Sequence, residues 1–218
     1  MAGGRRTGDP AQRWDHAVGW PVLDHEVLAT GRVCDFVNDT VEAPDGQTFR
    51  RQYVTHPGAV AIIALDEEDR VVVVRQYRHP VGMVLVEPPA GLLDVEGEDP
   101  LDAAARELAE EAMLAAEDWR VLVDVATSPG GCAETLRIYL ARGLSPAPRP
   151  EGFVPVDEEV HMSVSREPLD DLVEAILAGH CQSPSLVAGV TALALARARG
   201  ETDELREATC PWPARGLT

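Results

Sequence analysis

The sequence is short of basic residues, and this shortage argues against the common polyanion-binding functions. Lys and Arg together number 19 against 37 Asp and Glu, which gives a formal net charge of −18 over 218 residues. A chain this acidic is a poor candidate for nucleic-acid binding through phosphate neutralisation, and it is poorly suited to an anionic membrane surface. We therefore expect neither a nucleic acid nor a membrane as a partner. An anionic ligand would need local arginines or a bound cation to overcome the global field.

Cysteines and long apolar stretches are also scarce. The four cysteines (Cys34, Cys132, Cys181 and Cys210) lie far apart without C-x-x-C spacing, which argues against a zinc site or a redox dithiol. Their low number in a chain of this size fits a reducing compartment. The N-terminus lacks the apolar stretch of a secretory signal, and the apolar residues 186–196 are too few to span a bilayer. The sequence therefore predicts a cytoplasmic protein.

Strand-like runs dominate the chain and are followed by isolated helices. Hydrophobic residues make up 45% of the sequence, enough for a sizeable core. Strands are predicted over 22–36 (one or two), 48–54, 59–65, 71–77, 81–86, 119–126, 134–141 and 160–164, and helices over 169–178 and 185–199. An acidic turn at 66–70 predicts a hairpin between the third and fourth of these runs. The order predicts a mixed α/β sandwich without regular βαβ alternation.

The predicted domain organisation follows the same pattern. It comprises a flexible lead over 1–14, an N-terminal β extension over 15–55, a main domain over 56–200 and a tail over 201–218.

The segment over residues 91–114 contains the most informative helix. Asp99 followed by Pro100 is a strong helix start, because Asp99 can accept from free N–H groups of the first turn and Pro100 loses no hydrogen bond there. A buried stripe at helical spacing is predicted from Leu101, Ala104, Ala105, Leu108 and Ala112. Its alanines imply close packing against a sheet.

The other side of this helix is acidic. Glu107 and Glu111 are four residues apart and project from one face, with Glu110 on the adjacent edge. Their mutual repulsion, and their position near the negative end of the helix dipole, would both be offset by a hard divalent cation such as Mg²⁺. The tight turn before the helix can aim the carbonyl of Ala90 at such an ion. The alternative is a solvated acidic helix face.

The segment resembles the Nudix box, G-x5-E-x7-R-E-U-x-E-E-x-G-U, with U an aliphatic residue. The positions matching the box are Gly91, Glu98, Arg106, Glu107, Leu108, Glu110, Glu111 and Leu114. There are two departures. Six residues separate Gly91 from Glu98, and Met113 stands where the box has glycine, which would ease a left-handed turn at the helix exit.

The flanking segments resemble the ADP-ribose pyrophosphatase branch of the Nudix hydrolases. The segments that carry this likeness are 56–62, 75–80, 128–130 and the loop at 145–164. The resemblance implies a Nudix-type α/β/α sandwich with a mixed sheet, an N-terminal β extension and a homodimer. The implied reaction is hydrolysis of ADP-ribose, or of a similar nucleoside diphosphate sugar, to AMP and a sugar phosphate. A nucleotide-sensing module without hydrolysis, and hydrolysis of another nucleoside diphosphate derivative, stay open as alternatives.

The resemblance also implies a division of roles within the site. Glu107, Glu111 and the Ala90 carbonyl are expected to bind Mg²⁺, with Mn²⁺ as a substitute, and Glu110 to hold a further ion or its water shell. Arg106 is expected to orient a neighbouring glutamate, and an exposed i,i+4 pair with Glu110 is the alternative.

A general base is expected from the acidic cluster at 157–159 in the loop. Glu158 is the first candidate and Glu159 the second, and the alternative role of this cluster is a solubilising turn. A base on a flexible loop would close over the substrate and limit idle hydrolysis.

Five residues are candidates for contact with the substrate: Arg51, Arg78, Glu87, Pro129 and Glu134. The two arginines suit bidentate phosphate binding. His56 precedes a proline and is expected to cap a turn, not to catalyse.

Overall fold

The computed structural model describes residues 14–154 and 160–217, and within them the chain forms thirteen strands and three α-helices. The strands are β1 (Val22–Thr30), β2 (Asp35–Glu42), β3 (Thr48–Val54), β4 (Ala59–Ala64), β5 (Arg70–Arg78), β6 (Met83–Glu87), β7 (Ala90–Leu92), β8 (Leu114–Ala115), β9 (Asp118–Ala126), β10 (Thr135–Arg142), β11 (Ser145–Pro146), β12 (Ser163–Pro168) and β13 (Arg206–Glu207). The helices are α1 (Pro100–Ala112), α2 (Leu169–Leu177) and α3 (Pro184–Arg199). No helix in the described ranges combines the length and the apolar character needed to cross a membrane.

A five-stranded mixed sheet forms the centre of the fold. Its strand order is β13-β9-β10-β4-β7, and β10 runs parallel to β4 but antiparallel to β9. A second sheet has the order β12-β5-β6, and a third has the order β1-β2-β3. Five predicted strands begin and end within one residue of β3, β4, β5, β9 and β10.

Strand β4 explains why helices cover both faces of the central sheet. All six of its residues are buried, and its side chains alternate between two apolar clusters. Ala61 and Ile63 belong to the cluster that includes Leu186 of α3, whereas Ile62 belongs to the cluster that includes Leu108 of α1. This arrangement confirms the predicted α/β/α sandwich with a mixed sheet.

The hairpin predicted for the strands on either side of residues 66–70 is wrong. Strand β4 lies in the central sheet, whereas β5 pairs with β12 and β6, and a single bridge between Leu65 and Val71 joins the two runs. The turn is held by the buried Asp66, whose Oδ1 accepts from the backbone N–H groups of Glu68 and Arg70. The strands separate because each finds its long-range partner in a different sheet.

The short strand predicted over 160–164 begins later than expected. It corresponds to β12 (Ser163–Pro168), which pairs antiparallel with β5 from Arg75 to Arg70. Val160 and His161 form a single 3₁₀ turn instead.

The N-terminal strands form an antiparallel sheet whose outer strand is solvent-exposed. Every residue of β1 is exposed. The sheet is joined to the rest of the chain at Val54, whose N–H donates to the Gly131 carbonyl at 3.0 Å and whose carbonyl accepts from Ala133 at 2.9 Å. The turn that precedes β10 therefore holds the end of β3.

Residues 201–217, expected as part of a tail, pack against the central sheet. Strand β13 pairs with β9. Arg137, which is 3% exposed, donates to the carbonyls of Cys210 and Pro211 at 2.8 and 3.1 Å. The Trp212 ring lies 4.9 Å from its guanidinium carbon. A buried guanidinium needs acceptors, and this segment supplies two of them.

Candidate active site

Helix α1 presents one apolar and one acidic side at the edge of the central sheet. Asp99 caps it, since its Oδ1 accepts from the N–H of Leu101 at 2.9 Å, and Pro100 opens the first turn. Ala104 and Leu108 are buried as predicted, but the prediction for Ala105 is wrong. Ala105 is exposed, because the face of α1 that packs on the sheet is centred on Ala104 and Leu108 and does not include it. The buried residues of α1 are Ala103, Ala104 and Leu108.

Strand β7 lies directly against the acidic side of α1. A Cβ atom added to Gly91 would fall 2.0 Å from Oε1 of Glu107, so only glycine permits this close approach. The N–H of Ala90 donates to Oε2 of Glu111 at 3.1 Å. Strand β7 therefore contacts the carboxylates of both Glu107 and Glu111, which the four-residue spacing predicted to lie on one face of the helix.

Arg106 binds three carboxylates around this contact. Its Nε and Nη2 each donate to Glu98 at 2.9 Å, and its Nη1 donates to Glu107 at 2.6 Å and to Glu110 at 3.2 Å. The hydrogen bonds that Arg106 donates to Glu98 hold the pKa of Glu98 below its ordinary value, and the same bonds raise the pKa of Arg106. Arg106 thus offsets the mutual repulsion of the glutamates, and its contacts include the i,i+4 pair with Glu110.

The two departures from the box have local structural consequences. The extra residue before Glu98 lies in a turn closed by the bond from the Glu98 N–H to the Val95 carbonyl at 3.2 Å. Glu98 still reaches Arg106. Met113 ends α1 in the left-handed region, with φ 54° and ψ 43°, where a side chain is disfavoured.

A cleft of about 690 Å³ opens beside the carboxylates. Seven of the residues expected in the site line it: Arg78, Glu87, Ala90, Glu107, Glu110, Glu111 and Glu134. The guanidinium of Arg78 contacts Oε2 of the buried Glu87 through Nε at 2.8 Å and Nη2 at 2.7 Å. The cleft therefore contains an arginine that is already paired with a carboxylate.

Glu134 and His56 lie together at the start of β10. Glu134 accepts a short hydrogen bond from the Thr127 hydroxyl, and its Oε1 lies 3.8 Å from Nε2 of His56. Nδ1 of His56 accepts from the N–H of Gly58 at 3.1 Å, which leaves the proton of a neutral ring on Nε2. This bond is the turn-capping role predicted for His56.

Arg51 and Pro129 line a different pocket. It has a volume of about 480 Å³ and lies between β3 and the turn before β10. The guanidinium carbon of Arg51 is 5.1 Å from the centre of the Phe49 ring. Within this single chain, Arg51 and Pro129 are therefore not brought into the cleft that holds the glutamates.

The candidate bases, Glu158 and Glu159, lie outside the described residues. The loop before them is attached to α1: Nε of Arg149 donates to the Glu110 carbonyl at 2.9 Å, and its guanidinium carbon lies 5.6 Å from the Phe153 ring. Phe153 also lines the cleft. Sequence reasoning missed both residues, because a proline-rich loop shows no periodicity that would indicate its contacts.

Arg32 is a further cleft residue that the sequence did not indicate. It lies in the turn between β1 and β2, far from the box in the sequence, yet it lines the cleft beside the carboxylates. An arginine in a short turn between two strands carries no signal of its long-range neighbours.

The donor set fits a hard divalent cation. Among the described residues, no group of three or more His, Cys, Asp or Glu side chains is arranged so that it could hold a metal ion as it stands. Arg106 contacts Glu107 and Glu110. Carboxylate and carbonyl oxygens are the ligands that Mg²⁺ prefers. The absence of a Cβ at Gly91 lets the Glu107 carboxylate lie against β7. The three glutamates and the backbone of Ala90 are therefore the residues that could hold the ion.

Comparison with known proteins identifies related chains. Residues 55–183 match the family model described as the NUDIX domain. The chain is 43% identical to an ADP-ribose pyrophosphatase of Mycobacterium tuberculosis over 78% of its own length and 81% of that protein. It is 42% identical to a methanol dehydrogenase activator of Bacillus methanolicus over 69% of its length and 80% of that protein.

A solved structure shares the same fold. The crystal structure of an ADP compounds hydrolase superimposes with a TM-score of 0.67, covering 87% of this chain and 100% of that one at 22% sequence identity. At this identity the likeness concerns the fold, and it agrees with the sandwich described above.

Proposed function

The chain belongs to the Nudix family, and from that premise we propose that it hydrolyses the pyrophosphate bond of ADP-ribose, or of a similar nucleoside diphosphate sugar. The products are AMP and ribose 5-phosphate, or the corresponding sugar phosphate. The observation that carries the proposal is the contact between β7 and α1, where Gly91 and Ala90 hold Glu107 and Glu111 beside the cleft. The similarity to an ADP-ribose pyrophosphatase over most of both chains supports the substrate class.

Nudix hydrolases generally need a divalent metal ion, and we propose Mg²⁺, with Mn²⁺ as a substitute. Glu107, Glu111 and the Ala90 carbonyl would hold the ion, and Glu110 a further ion or its water. The bound cation would neutralise charge on the diphosphate and lower the pKa of a bound water. Arg106 keeps the carboxylates together through its bonds to Glu107 and Glu110.

Other residues of the chain would bind and orient the substrate. Arg78 and Glu87 lie in the cleft as an ion pair, and the side chain of Arg78 is 45% exposed and so accessible to a phosphate oxygen. Glu134, next to His56, supports the neighbouring part of the cleft. Glu158, or Glu159, would act as the general base from the loop that Arg149 attaches to α1.

We also propose a cytoplasmic homodimer with no nucleic acid or membrane as a partner. Exposed apolar side chains on β1, such as Val22, Leu23 and Val27, support burial of that strand against a second copy. In such a dimer the pocket of Arg51 and Pro129 could form part of a substrate site completed by the other copy.

Glu111→Gln tests the proposal directly. The wild-type protein with Mg²⁺ is expected to release AMP from ADP-ribose within a panel of nucleoside diphosphate derivatives, with the products separated by chromatography. The variant keeps the shape of the side chain but loses its charge, so kcat should fall at least roughly 100-fold. Glu158→Gln is expected to slow turnover more than it weakens metal binding.

Asp102→Asn provides the matched control, because Asp102 is an exposed acid in the first turn of the same helix. Its kcat should stay close to that of the wild type. Folding of each variant is checked by circular dichroism and by the melting temperature. Equal turnover by wild type and Glu111→Gln would reject the proposed site. Tight binding of a nucleotide without any turnover would instead identify a sensor.

A further inference from the structure

The turn between β1 and β2 brings a third arginine into the cleft. Gly31 makes this turn possible: its N–H donates to the Cys34 carbonyl at 2.9 Å, and a Cβ on it would lie 2.6 Å from that same oxygen. Arg32 follows at the exposed tip of the turn and lines the cleft. The conformation of this turn therefore fixes the position of the Arg32 backbone beside the cleft.

Hydrogen bonds attach this turn to the strand that leads into the main domain. The N–H of Asp35 donates to Oγ1 of Thr55 at 2.9 Å, and the N–H of Thr55 donates to the Asp35 carbonyl at 2.9 Å. The preceding Val54 is bonded on its other edge to Gly131 and Ala133, next to Glu134. Hydrogen bonds thus connect the turn that contains Arg32, through Thr55 and Val54, to the segment next to Glu134 in the cleft.

The acidic side chains that line the cleft outnumber its arginines, so an additional arginine at this position favours the binding of an anionic substrate. Among described residues, the lining has three arginines and six acids, a formal charge of 3 − 6 = −3; the acids are Glu87, Asp94, Glu107, Glu110, Glu111 and Glu134. Arg78 contacts Glu87, and Arg106 contacts Glu98, Glu107 and Glu110. A diphosphate entering this cleft needs cationic groups in addition to a metal ion, since the acids repel it.

We propose that Arg32 is a substrate-binding residue, whose guanidinium contacts the phosphate groups of the nucleoside diphosphate sugar and so makes the N-terminal sheet part of the site. This inference rests on the proposed function. Arginine suits the contact because its planar fork can donate two hydrogen bonds to one phosphate. The contact is a binding contact, so it should affect affinity for the substrate more than the rate of the chemical step.

Arg32→Ala tests this inference by separating binding from turnover. KM for ADP-ribose with Mg²⁺ is expected to rise about tenfold, and kcat to change less than about twofold. Arg32→Lys should restore part of the loss, since it keeps the charge but not the fork. Arg32→Gln should behave like the alanine variant, which keeps the test valid if Arg32→Ala fails to fold.

The matched control is Arg50→Ala, which removes an exposed arginine from β3 of the same sheet, and its KM should be unchanged. Calorimetry of ADP-ribose binding in EDTA adds a readout independent of turnover, and Kd should rise about tenfold in Arg32→Ala. An active wild type together with an unchanged KM and Kd in Arg32→Ala would overturn the role of Arg32 and leave the proposed function intact. A wild type that hydrolyses no member of the panel would reject the proposed function, and the role of Arg32 with it.

Discussion

At the scale of single residues, Arg106 allows several glutamates to lie close together, because its positive charge offsets their mutual repulsion. Its guanidinium forms a two-bond contact with Glu98, and it also reaches Glu107 and Glu110. The Glu98 side chain is 15% exposed, so water screens this contact only in part. Charge-assisted hydrogen bonds of this kind are stronger than neutral ones. Glu98 therefore contributes to stability as well as to the geometry of the site.

Glu98→Gln is expected to lower the free energy of unfolding by about 1–3 kcal/mol at pH 7. The pKa of Glu98 lies below its ordinary value of 4.5 because Arg106 favours the charged form. A carboxyl whose pKa is lowered on folding stabilises the protein above the unfolded pKa, and this contribution is lost as the pH falls through the folded pKa. Urea unfolding between pH 3 and pH 7 should show the gap between wild type and variant shrinking below about pH 4.5.

Glu96→Gln is the control for this series, because Glu96 is an exposed acid in the same loop. It should leave the stability and its pH dependence nearly unchanged. A gap between wild type and Glu98→Gln that keeps its size down to pH 3 would show that the charge of Glu98 is not what stabilises the fold.

Spacing along α1 was sufficient to predict which acids share a face, but not which arginines of the N-terminal sheet line the cleft beside them. Helical geometry relates Glu107 and Glu111 directly, since residues four apart are neighbours on the surface. Arg32 and Arg51 both belong to the N-terminal strands or their turn, and only Arg32 lines the cleft. The alternation of a strand indicates that neighbouring residues face opposite ways, but not which cavity either face meets.

At the scale of elements, the exit of α1 holds backbone strain that the sequence could indicate. Met113 adopts φ 54°, and its carbonyl accepts from the Ala147 N–H at 2.9 Å, so this strained residue is bonded to the loop that follows β11. Its side chain is 51% exposed and adds little to the core. Glycine tolerates this conformation, whereas other residues lose about 1–2 kcal/mol in it.

Met113→Gly is therefore expected to be more stable than Met113→Ala by about 1 kcal/mol, measured as the difference in free energy of unfolding in urea. Alanine is the reference because it removes the same side chain but keeps the strain. The gain is limited by the greater freedom of glycine in the unfolded chain. Equal stability of the two variants would mean that the left-handed turn costs nothing here. Activity should be unaffected, since the carboxylates lie earlier in the helix.

Elements were predicted more accurately than their pairing. The runs of Val, Ile and Leu in β4 and β5 are local signals, and both strands were found close to their predicted bounds. Their predicted hairpin failed because pairing depends on residues far along the chain: β4 pairs with β10 and β7, and β5 with β12 and β6. A strand buried on both faces presents no alternation from which its neighbour could be deduced.

At the scale of the whole molecule, distant segments of the chain are held together through arginine. All 19 basic residues are arginine. Arg137 on β10 is bonded to Asp124 on β9 at 2.7 and 3.1 Å, and it also donates to the backbone of the C-terminal segment. Arg206 adds a second contact to Asp124 at 2.7 Å. The C-terminal segment therefore completes the surroundings of a buried charge.

Deletion of residues 201–218 is expected to lower the free energy of unfolding by roughly 3–5 kcal/mol, because it removes two acceptors of Arg137 and the apolar side chains of this segment that pack against the core. Trp212→Ala should cause a smaller loss, since it removes only the ring that covers the guanidinium. Asp203→Asn is the control: its contact with Arg142 is on the surface, with the Asp203 side chain 85% exposed, and should contribute at most about 1 kcal/mol. Urea unfolding at constant pH measures all three. A deletion variant as stable as the wild type would mean that this segment lies on the domain without stabilising it.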